Sequence, residues 1–338
     1  MQEILSIKSN NIKQSLVSVI LPTFNHGRFI SKAIESVLNQ TYSNFELIII
    51  DNHSEDNTEE VVAFYKDNRI NYLKFRNNGI IAASRNYGIK HSRGKYVAFL
   101  DSDDTWYKQK LKKQLPHFQM PEIIGVASNA TLITETPYYR NINLAKSKLG
   151  YIDYQYRNIL NRNPIITSSL IVRKETLKQA GLFDENRDFC FIEDWELWLR
   201  MARYGSFRVI EEPLLYYRAS LKRGAKAATI SKNCLKILEK QVNLNYVKSD
   251  DSIEPKASIY LSIARNLLEF DQRQSRKYYM KALKTTSDLR KKIKSCAGVS
   301  ISFQPLCLKK MMLLILYKID RALCSLKDWL WKIVKIFC

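Results

Sequence analysis

The stretch Tyr96-Val-Ala-Phe-Leu-Asp-Ser-Asp-Asp-Thr-Trp106 places a short apolar segment directly before three carboxylates. The apolar part follows a Gly-Lys turn, and this pattern predicts a buried strand. Asp101, Asp103 and Asp104 follow the carboxyl end of that strand, where open α/β sheets bind their ligands. Carboxylates crowded there repel one another unless a cation neutralises them, and Mg²⁺ commonly joins one or two carboxylates to a substrate phosphate. The stretch therefore predicts a metal-assisted nucleotide site, with a solvated loop or a helix cap as the alternative.

The sequence on either side of this stretch alternates between strand and helix patterns, which indicates a mostly parallel sheet flanked by helices. Proline is expected to end the first strand at Pro22 and the last near Pro213. The predicted strands are Leu16–Leu21, Phe45–Ile50, Ile70–Phe75, Tyr96–Leu100, Ile124–Ala130, Ser168–Val172 and Phe207–Ile210. The predicted helices are Gly27–Leu38, Thr58–Lys66, Ala82–His91, Glu175–Ala180 and Trp195–Tyr204.

The character of the sequence changes after about Leu221, and we predict three parts. Residues 1–220 form the α/β domain, residues 221–307 a lysine-rich helical extension, and residues 308–338 a basic amphipathic helix. The tail mixes apolar runs with lysines, which is typical of a helix that lies in a membrane interface against anionic headgroups. A C-terminal helix packed on the domain is the alternative. Within the extension, Ala257–Phe270 and Arg276–Thr285 predict a helical hairpin, favoured over a single tetratricopeptide unit, because such repeats need stacked neighbours.

The formal net charge of +21 predicts attraction to nucleic acid, to an anionic membrane surface or to phosphate-bearing substrates. No RNP sequence or zinc-finger spacing is present, so nucleic acid is not an expected partner. A P-loop and a GxGxxG motif after a strand are also absent, which disfavours other nucleotide-binding enzyme classes. The 6 cysteines contain no CxxC pair and predict reduced thiols in a cytoplasmic protein. We find no signal peptide and no run of about 18 apolar residues that would span a bilayer.

Three further segments carry polar groups at the ends of predicted elements. Val17–Asn25 is a strand that ends in Pro-Thr-Phe-Asn and could offer an aromatic face to a base, although an ordinary strand end has the same pattern. Ile50–Thr58 begins with a carboxylate after a buried strand, which could accept hydrogen bonds from a base or ribose, or could be followed by helix caps. Phe191–Arg200 holds Glu193 and Asp194 before a predicted helix, where a carboxylate is a cap or a base.

These segments closely resemble the inverting nucleotide-sugar glycosyltransferases of family 2, which have a GT-A fold. The resemblance extends from about Leu16 to Arg218. It rests on six motifs in one order: VSVILPTFN, IIIDNHSEDNT, ASRNYGI, GKYVAFLDSDD, SSLIVRKETLKQAGLFDE and EDWELWLR.

The resemblance implies a role for particular positions. Asp51 is expected to contact the base or ribose, Arg85 to lie along the nucleotide site, and Glu193 to help bind the nucleotide-sugar. Asp101 and Asp103 correspond to the family's DxD pair, which holds a divalent metal (Mn²⁺ or Mg²⁺) and the donor diphosphate. Asp194 corresponds to the general base. The turn after the first strand is expected to line the nucleoside pocket with Pro22, Thr23, Phe24 and Asn25.

The family pattern also implies the partners and the place of action. The donor is a nucleotide-sugar, with uridine as the default nucleoside, and the acceptor is a glycan or a lipid-linked glycan, as in bacterial polysaccharide assembly. The second-strand motif departs from the family, since Asn52 replaces an acid and His53 replaces the expected glycine. The expected location is the cytoplasm, peripheral on the inner face of the cytoplasmic membrane. The alternative is a basic nucleic-acid- or membrane-binding protein without transferase activity.

Overall fold

A computed structural model describes residues 15–133, 139–142, 146–218, 225–248, 250–268, 271–288 and 295. The chain divides into two compact units, Met1–Leu221 and Lys222–Cys338. Among the described residues, no helix has both the length and the apolarity needed to cross a bilayer. The predicted interfacial helix over residues 308–338 lies outside the described residues and stays a prediction.

The first unit is built on one sheet whose order is β3-β2-β1-β4-β9-β6-β10-β5, with β7 beside β6 and β8 beside β10. The first four strands are parallel to one another, as the alternation of strands and helices predicts. β9 is antiparallel to both of its neighbours, and β6 and β10 are again parallel. The strands are β1 (Val17–Thr23), β2 (Phe45–Asp51), β3 (Ile70–Lys74), β4 (Tyr96–Phe99), β5 (Thr105–Trp106), β6 (Ile123–Ile133), β7 (Tyr139–Ile142), β8 (Tyr151–Tyr154), β9 (Ile171–Arg173) and β10 (Ser206–Arg218).

Seven helices flank this sheet in the described part of the first unit. They are α1 (Gly27–Leu38), α2 (Thr58–Ala63), α3 (Ile81–His91), α4 (Lys110–Gln114), α5 (Tyr156–Asn161), α6 (Lys174–Ala180) and α7 (Glu193–Met201). The apolar side of α1 is buried at helical spacing through Ile30, Ala33, Ile34 and Val37. The predicted α/β architecture is therefore confirmed, and its core lies between the helices and the fully buried strands β1, β2 and β4.

Helix α3 packs closely on the sheet at Gly88. A Cβ atom there would come within 2.6 Å of the Ile50 side chain and 2.8 Å of the Ile20 side chain, so any larger residue would displace these side chains of β1 and β2. Arg85 lies about one turn earlier on the same helix. This close packing brings Arg85 to the carboxyl ends of the parallel strands.

Several predicted boundaries were wrong, and two of the errors involve proline. Strand β1 continues through Pro22. Ile20 faces β4, because its carbonyl accepts from Leu100 N–H. Pro22, two residues on, faces the same edge beyond the end of β4, so its missing N–H breaks no bond to that strand. Strand β10 continues through Pro213, where its pairing with β6 shifts register on both sides. In place of the predicted strand over Ser168–Val172, a 3-10 turn at Thr167–Ser169 precedes the shorter β9.

The second unit contains the helices α8 (Ala225–Asn243), α9 (Ile253–Leu267) and α10 (Gln272–Thr285). The predicted hairpin is present as α9 and α10, each of which begins about four residues earlier than expected. Tyr279 and Ala282 of α10 pack against Leu261 and Ala264 of α9. The Glu254 carboxylate accepts hydrogen bonds from Thr286, which fixes the start of α9 against the end of α10.

Candidate functional site

The ends of β1 and β2 are joined by a network of hydrogen bonds around Asp51. Asp51 pairs with Thr23 in the parallel register and is fully buried. Its Oδ1 accepts from the Ser54 hydroxyl at 2.6 Å, and its Oδ2 accepts from the Tyr72 hydroxyl at 2.5 Å. Burial, followed by this bond to Asp51, raises the pKa of Tyr72. A base or ribose that contacts Asp51 would share a carboxylate already held by two side chains.

The turn after β1 is fastened to the turn after β2. Asn25 N–H donates to the Ser54 hydroxyl at 2.9 Å, and the Asn25 side chain accepts from Glu55 N–H at 2.7 Å. Phe24 is 48% exposed beside this junction. His53, where the family pattern has glycine, has a φ of 56°, in the left-handed region that favours glycine. The turn can offer Phe24 to a planar ligand, and the nucleoside roles of Pro22, Thr23, Phe24, Asn25 and Asp51 stay predictions.

Arg85 connects the two acidic motifs. Its Nη2 donates to Asp101 Oδ1 at 2.9 Å and its Nη1 to Glu193 Oε1 at 2.6 Å, across 108 positions of sequence in the second case. The guanidinium is almost fully buried, and its face lies 5.5 Å from the Phe183 ring centroid. Burial acts to lower the pKa of Arg85, but the charges of Asp101 and Glu193 outweigh it and the pKa is raised. Arg85 is therefore a permanent cation between the two motifs.

Asp194 has different surroundings from its neighbour Glu193. Its Oδ2 accepts from the Thr167 hydroxyl at 2.7 Å and its Oδ1 from Trp195 N–H at 2.6 Å. Burial is the largest influence on its pKa, and the adjacent charge of Glu193 acts in the same direction, so the pKa is raised to about 6. Both acids lie in the first turn of α7, rather than before it as predicted. A carboxylate with this pKa is largely ionised at neutral pH and basic enough to accept a proton.

The loop after β4 separates its three acids. Asp101 faces Arg85, with its own N–H held by the Ser168 hydroxyl at 3.0 Å. Asp104 is buried and accepts from Arg218 N–H at 2.8 Å, which directs it into the protein. Burial and then the charge of Asp101 raise the pKa of Asp103, and they raise that of Asp104 well above its ordinary value. Asp103 and Asp101 therefore remain the pair available to a ligand.

One cavity of about 640 Å³ collects most of these groups. Its polar lining includes Arg85, Asp101, Glu193, Asp194 and Tyr217, so that three carboxyl groups share one guanidinium among the described lining residues. Its other walls are largely apolar and include Ile81, Ile142, Ile165, Ile166 and Phe191. The structure thus brings together four of the predicted site residues from segments far apart in sequence. Pro22, Thr23, Phe24, Asn25, Asp51 and Asp103 do not line this cavity.

The sequence of residues 18–180 matches the Glycosyl transferase family 2 profile. One relative is an Escherichia coli protein named UDP-Glc:alpha-D-GlcNAc-diphosphoundecaprenol beta-1,3-glucosyltransferase WfgD. It is 32% identical over 245 residues, which cover 72% of this chain and 90% of the relative. The chain belongs to glycosyl transferase family 2.

Solved structures support the same fold assignment for this family 2 chain. S. aureus TarS 1-349 with UDP-GlcNAc has a TM-score of 0.56 at 16% identity, covering 85% of this chain and 90% of that one. The mannosyltransferase PcManGT from Pyrobaculum calidifontis, with GDP-Man and Mn2+, has a TM-score of 0.55 at 17% identity, covering 92% and 87%. The predicted GT-A fold is confirmed. The chain spans only about a third of the length of three uncharacterized Rickettsia glycosyltransferases that it matches, at 34%, 33% and 29%.

Sequence reasoning missed the turn at Thr167–Ser169, which contacts both acidic motifs. Thr167 donates to Asp194, and Ser168 accepts from the Asp101 N–H. The turn is held in place by Trp106, whose indole N–H donates to the Ser168 carbonyl at 2.8 Å. The only signal in the sequence was a run of three hydroxyl residues, Thr167 to Ser169, before a short apolar strand. Tyr217 was also missed: burial and then four nearby carboxylates raise its pKa to about 12, so it faces the acids as a neutral phenol.

The residues present fit a divalent cation that also binds substrate. Among the described residues, no group of three or more His, Cys, Asp or Glu side chains forms a metal site. Asp101 and Asp103 supply hard oxygen ligands, and two carboxylates suit a cation whose other ligands are phosphate oxygens and water. Burial first, and then the charge of Asp101, raise the pKa of Asp103, so a cation bound by this pair would favour the ionised carboxylates.

The raised pKa of Asp194 predicts a pH-dependent penalty on stability. The folded protein binds the Asp194 proton more tightly than the unfolded chain, so this contribution to stability is present below about pH 4 and is lost as the pH rises through about 6. Asp194→Asn removes the titration. We expect the variant to gain about 2 kcal/mol over the wild type between pH 4 and pH 7.5, measured by urea denaturation.

The exposed Asp250→Asn variant controls for the removal of a carboxylate elsewhere. Parallel stability curves for the wild type and Asp194→Asn across this range would contradict a buried, pKa-raised Asp194.

Proposed function

We propose that this protein transfers a sugar from a nucleotide-sugar to an acceptor hydroxyl with inversion, in the assembly of a bacterial polysaccharide or lipopolysaccharide. The observation that carries the proposal is that one cavity holds acidic side chains in two different environments. Asp101 and Glu193 each form an ion pair with Arg85, whereas Asp194 accepts hydrogen bonds from Thr167, Asn163 and Trp195 and has a pKa of about 6. An ionised leaving-group site beside a proton acceptor is what inverting transfer requires.

In the proposed reaction the acceptor oxygen forms a bond to the anomeric carbon as its proton passes to the Asp194 carboxylate. The bond from that carbon to the diphosphate breaks, and the nucleoside diphosphate leaves with the electron pair. Thr167 and Asn163 donate to Asp194 Oδ2 and Trp195 N–H donates to Oδ1. These three bonds orient the carboxylate and leave Oδ1 one further lone pair for the acceptor. Arg85 holds Asp101 and Glu193 in place through its two ion pairs. A general base of this kind contributes about 10²–10⁴-fold to a rate.

A divalent metal, Mn²⁺ or Mg²⁺, would be held by Asp103 and Asp101. When bound, it would supply positive charge to the donor diphosphate. Arg218 lies against the same loop, where its Nε donates to the Asp103 carbonyl at 3.3 Å. The chain's own part is to hold this loop in place, through Ser168 on one side and Arg218 on the other.

A UDP-sugar is the proposed donor, and a lipid-linked glycan is the proposed acceptor. The E. coli relative's name gives UDP-Glc as its donor and alpha-D-GlcNAc-diphosphoundecaprenol as its acceptor, which supports both choices. TarS and PcManGT were solved with UDP-GlcNAc and GDP-Man. We therefore propose residues 1–220 as the catalytic domain and test the donor with a panel of UDP-glucose, UDP-N-acetylglucosamine and GDP-mannose.

Asp194→Asn should abolish transfer while leaving donor binding within a few-fold of the wild type. The amide keeps the shape and the bond to Thr167 but cannot accept a proton. Transfer is measured with the donor panel and an N-acetylglucosaminyl diphosphate carrying a short alkyl chain, and the anomeric configuration of the product is read by NMR. Turnover by the variant within tenfold of the wild type would remove Asp194 from the role of base.

Chelation should stop transfer without unfolding the protein. EDTA is expected to lower the rate at least 10²-fold, because the diphosphate would then depart without a compensating cation. Mn²⁺ or Mg²⁺ added in excess should restore the rate, and Ca²⁺ serves as the comparison cation. An EDTA-treated enzyme with an unchanged rate would argue against the Asp101 and Asp103 site.

We also propose that the protein acts at the anionic inner surface of the cytoplasmic membrane. Two features support this proposal. One is the basic tail over residues 308–338, and the other is helix α10, which contains no acidic residue. Its exposed cations Arg273, Lys277, Lys281 and Lys284 recur at helical spacing and form a stripe on one side. Each basic residue near an anionic surface contributes about 1 kcal/mol of attraction. The nucleic-acid-binding alternative would use the same charge, so the test includes competing RNA.

Replacing the four stripe residues with glutamine should weaken binding to phosphatidylglycerol vesicles at least tenfold. The same substitution of four exposed lysines of the first unit, Lys32, Lys66, Lys90 and Lys178, controls for net charge. Truncation after Cys307 tests the tail in the same flotation assay. Equal vesicle binding by all variants would contradict the membrane proposal. Displacement of the wild-type protein from the vesicles by RNA but not by salt would also contradict it.

A further inference from the structure

Phe191 combines two unfavourable features at the edge of the cavity. Its side chain is 61% exposed, and its φ of 70° lies in the left-handed region, which is unfavourable for a bulky residue. The neighbouring aromatic Phe189 is buried at 6% exposure. An exposed aromatic ring on a strained backbone adds little to the stability of the fold, and such outliers cluster at functional sites.

The backbone around Phe191 holds this conformation in place. Ile192 N–H donates to the Phe189 carbonyl at 2.9 Å, and Cys190 N–H donates to the Arg187 carbonyl at 3.1 Å. The Arg187 guanidinium donates to the Asn78 carbonyl at 2.7 Å, which ties this segment to the loop before α3. The backbone that carries the ring is therefore held in this conformation, three residues before Asp194.

The cavity that Phe191 lines has apolar walls as well as charged groups. Ile81, Ile165 and Ile166 line it together with Phe191, and so do Arg85, Asp101, Glu193 and Asp194. An aromatic ring beside aliphatic side chains suits the C–H face of a pyranose better than it suits a diphosphate.

We propose that Phe191, with Ile81, Ile165 and Ile166, is the acceptor subsite and takes the apolar face of the acceptor's sugar ring. The assignment rests on the proposed function, because it is Asp194 as base that requires the acceptor hydroxyl here. A sugar stacked on Phe191 would lie in the cavity that Asp194 also lines, where a sugar hydroxyl can meet the base. Phe24 is also an exposed aromatic residue, but it lies at the β1–β2 junction and is the predicted nucleoside contact.

The test compares Phe191→Gly and Phe191→Tyr with the wild type in the full chain. Phe191→Gly should weaken binding of the N-acetylglucosaminyl-diphosphate alkyl ester about tenfold, leave binding of UDP and of the alkyl diphosphate without sugar unchanged, and leave the melting temperature equal or higher. The gain follows because glycine adopts the left-handed conformation without strain. Phe191→Tyr, which keeps the ring, should bind like the wild type.

Phe64→Gly, at an 80% exposed phenylalanine outside this cavity, is the matched control. Loss of UDP binding by Phe191→Gly would make Phe191 a nucleotide contact, and a lowered melting temperature with parallel losses for every probe would make it structural. Either result, or unchanged binding of the glycan ester, overturns the acceptor subsite. Binding of the ester is measured without turnover, so the two proposals can fail separately. A wild-type protein that binds the ester through Phe191 but transfers no sugar would refute the proposed function alone.

Discussion

The structure of the site depends on one buried guanidinium. Arg85 is 3% exposed and bonded to Asp101 and Glu193, which come from two motifs 92 positions apart in sequence. Moving a charge out of water is unfavourable by several kcal/mol unless paired charges and hydrogen bonds offset it. Loss of either carboxylate, or of Arg85, would therefore leave an uncompensated charge in the interior. The fit of Gly88 against β1 and β2 fixes the helix that carries this cation, so packing and electrostatics act on the same element.

The same ion pairs divide the acids into two kinds. Asp101 and Glu193 have a direct cationic partner, whereas Asp194 has hydroxyl and amide partners, and burial with the charge of Glu193 raises its pKa to about 6. Acids held in such different environments can take different roles in proton transfer. The turn at Thr167–Ser169 connects the two kinds of acid, because the Thr167 hydroxyl donates to Asp194 and the Ser168 hydroxyl accepts from the Asp101 N–H.

Much of this arrangement is local in sequence and could be predicted. Buried strands are short apolar runs, and acids placed directly after them meet at the carboxyl edge of a parallel sheet; this is why Asp51 and Asp101 were found. The partnership of Arg85 with Glu193 has no local pattern, because it depends on how α3 and α7 approach each other. Thr167 and Tyr217 were missed for the same reason. The strand ends predicted at Pro22 and Pro213 were wrong, because a proline can lie within a strand where the edge of the strand is unpaired or its register shifts.

The two ends of the site are built from different kinds of structure. The β1–β2 junction is cross-linked by Asn25, Ser54 and Asp51 and belongs to the parallel sheet, so its geometry follows from strand register. The apolar wall around Phe191 is built from the segments before α3, β9 and α7, whose positions depend on a few contacts such as Arg187 to Asn78. Changes in these segments can reshape the space beside Asp194 while the sheet, Arg85 and the Asp101 loop stay in place. Under the proposed roles, a fold of this kind can vary the acceptor side of the site independently of the donor side.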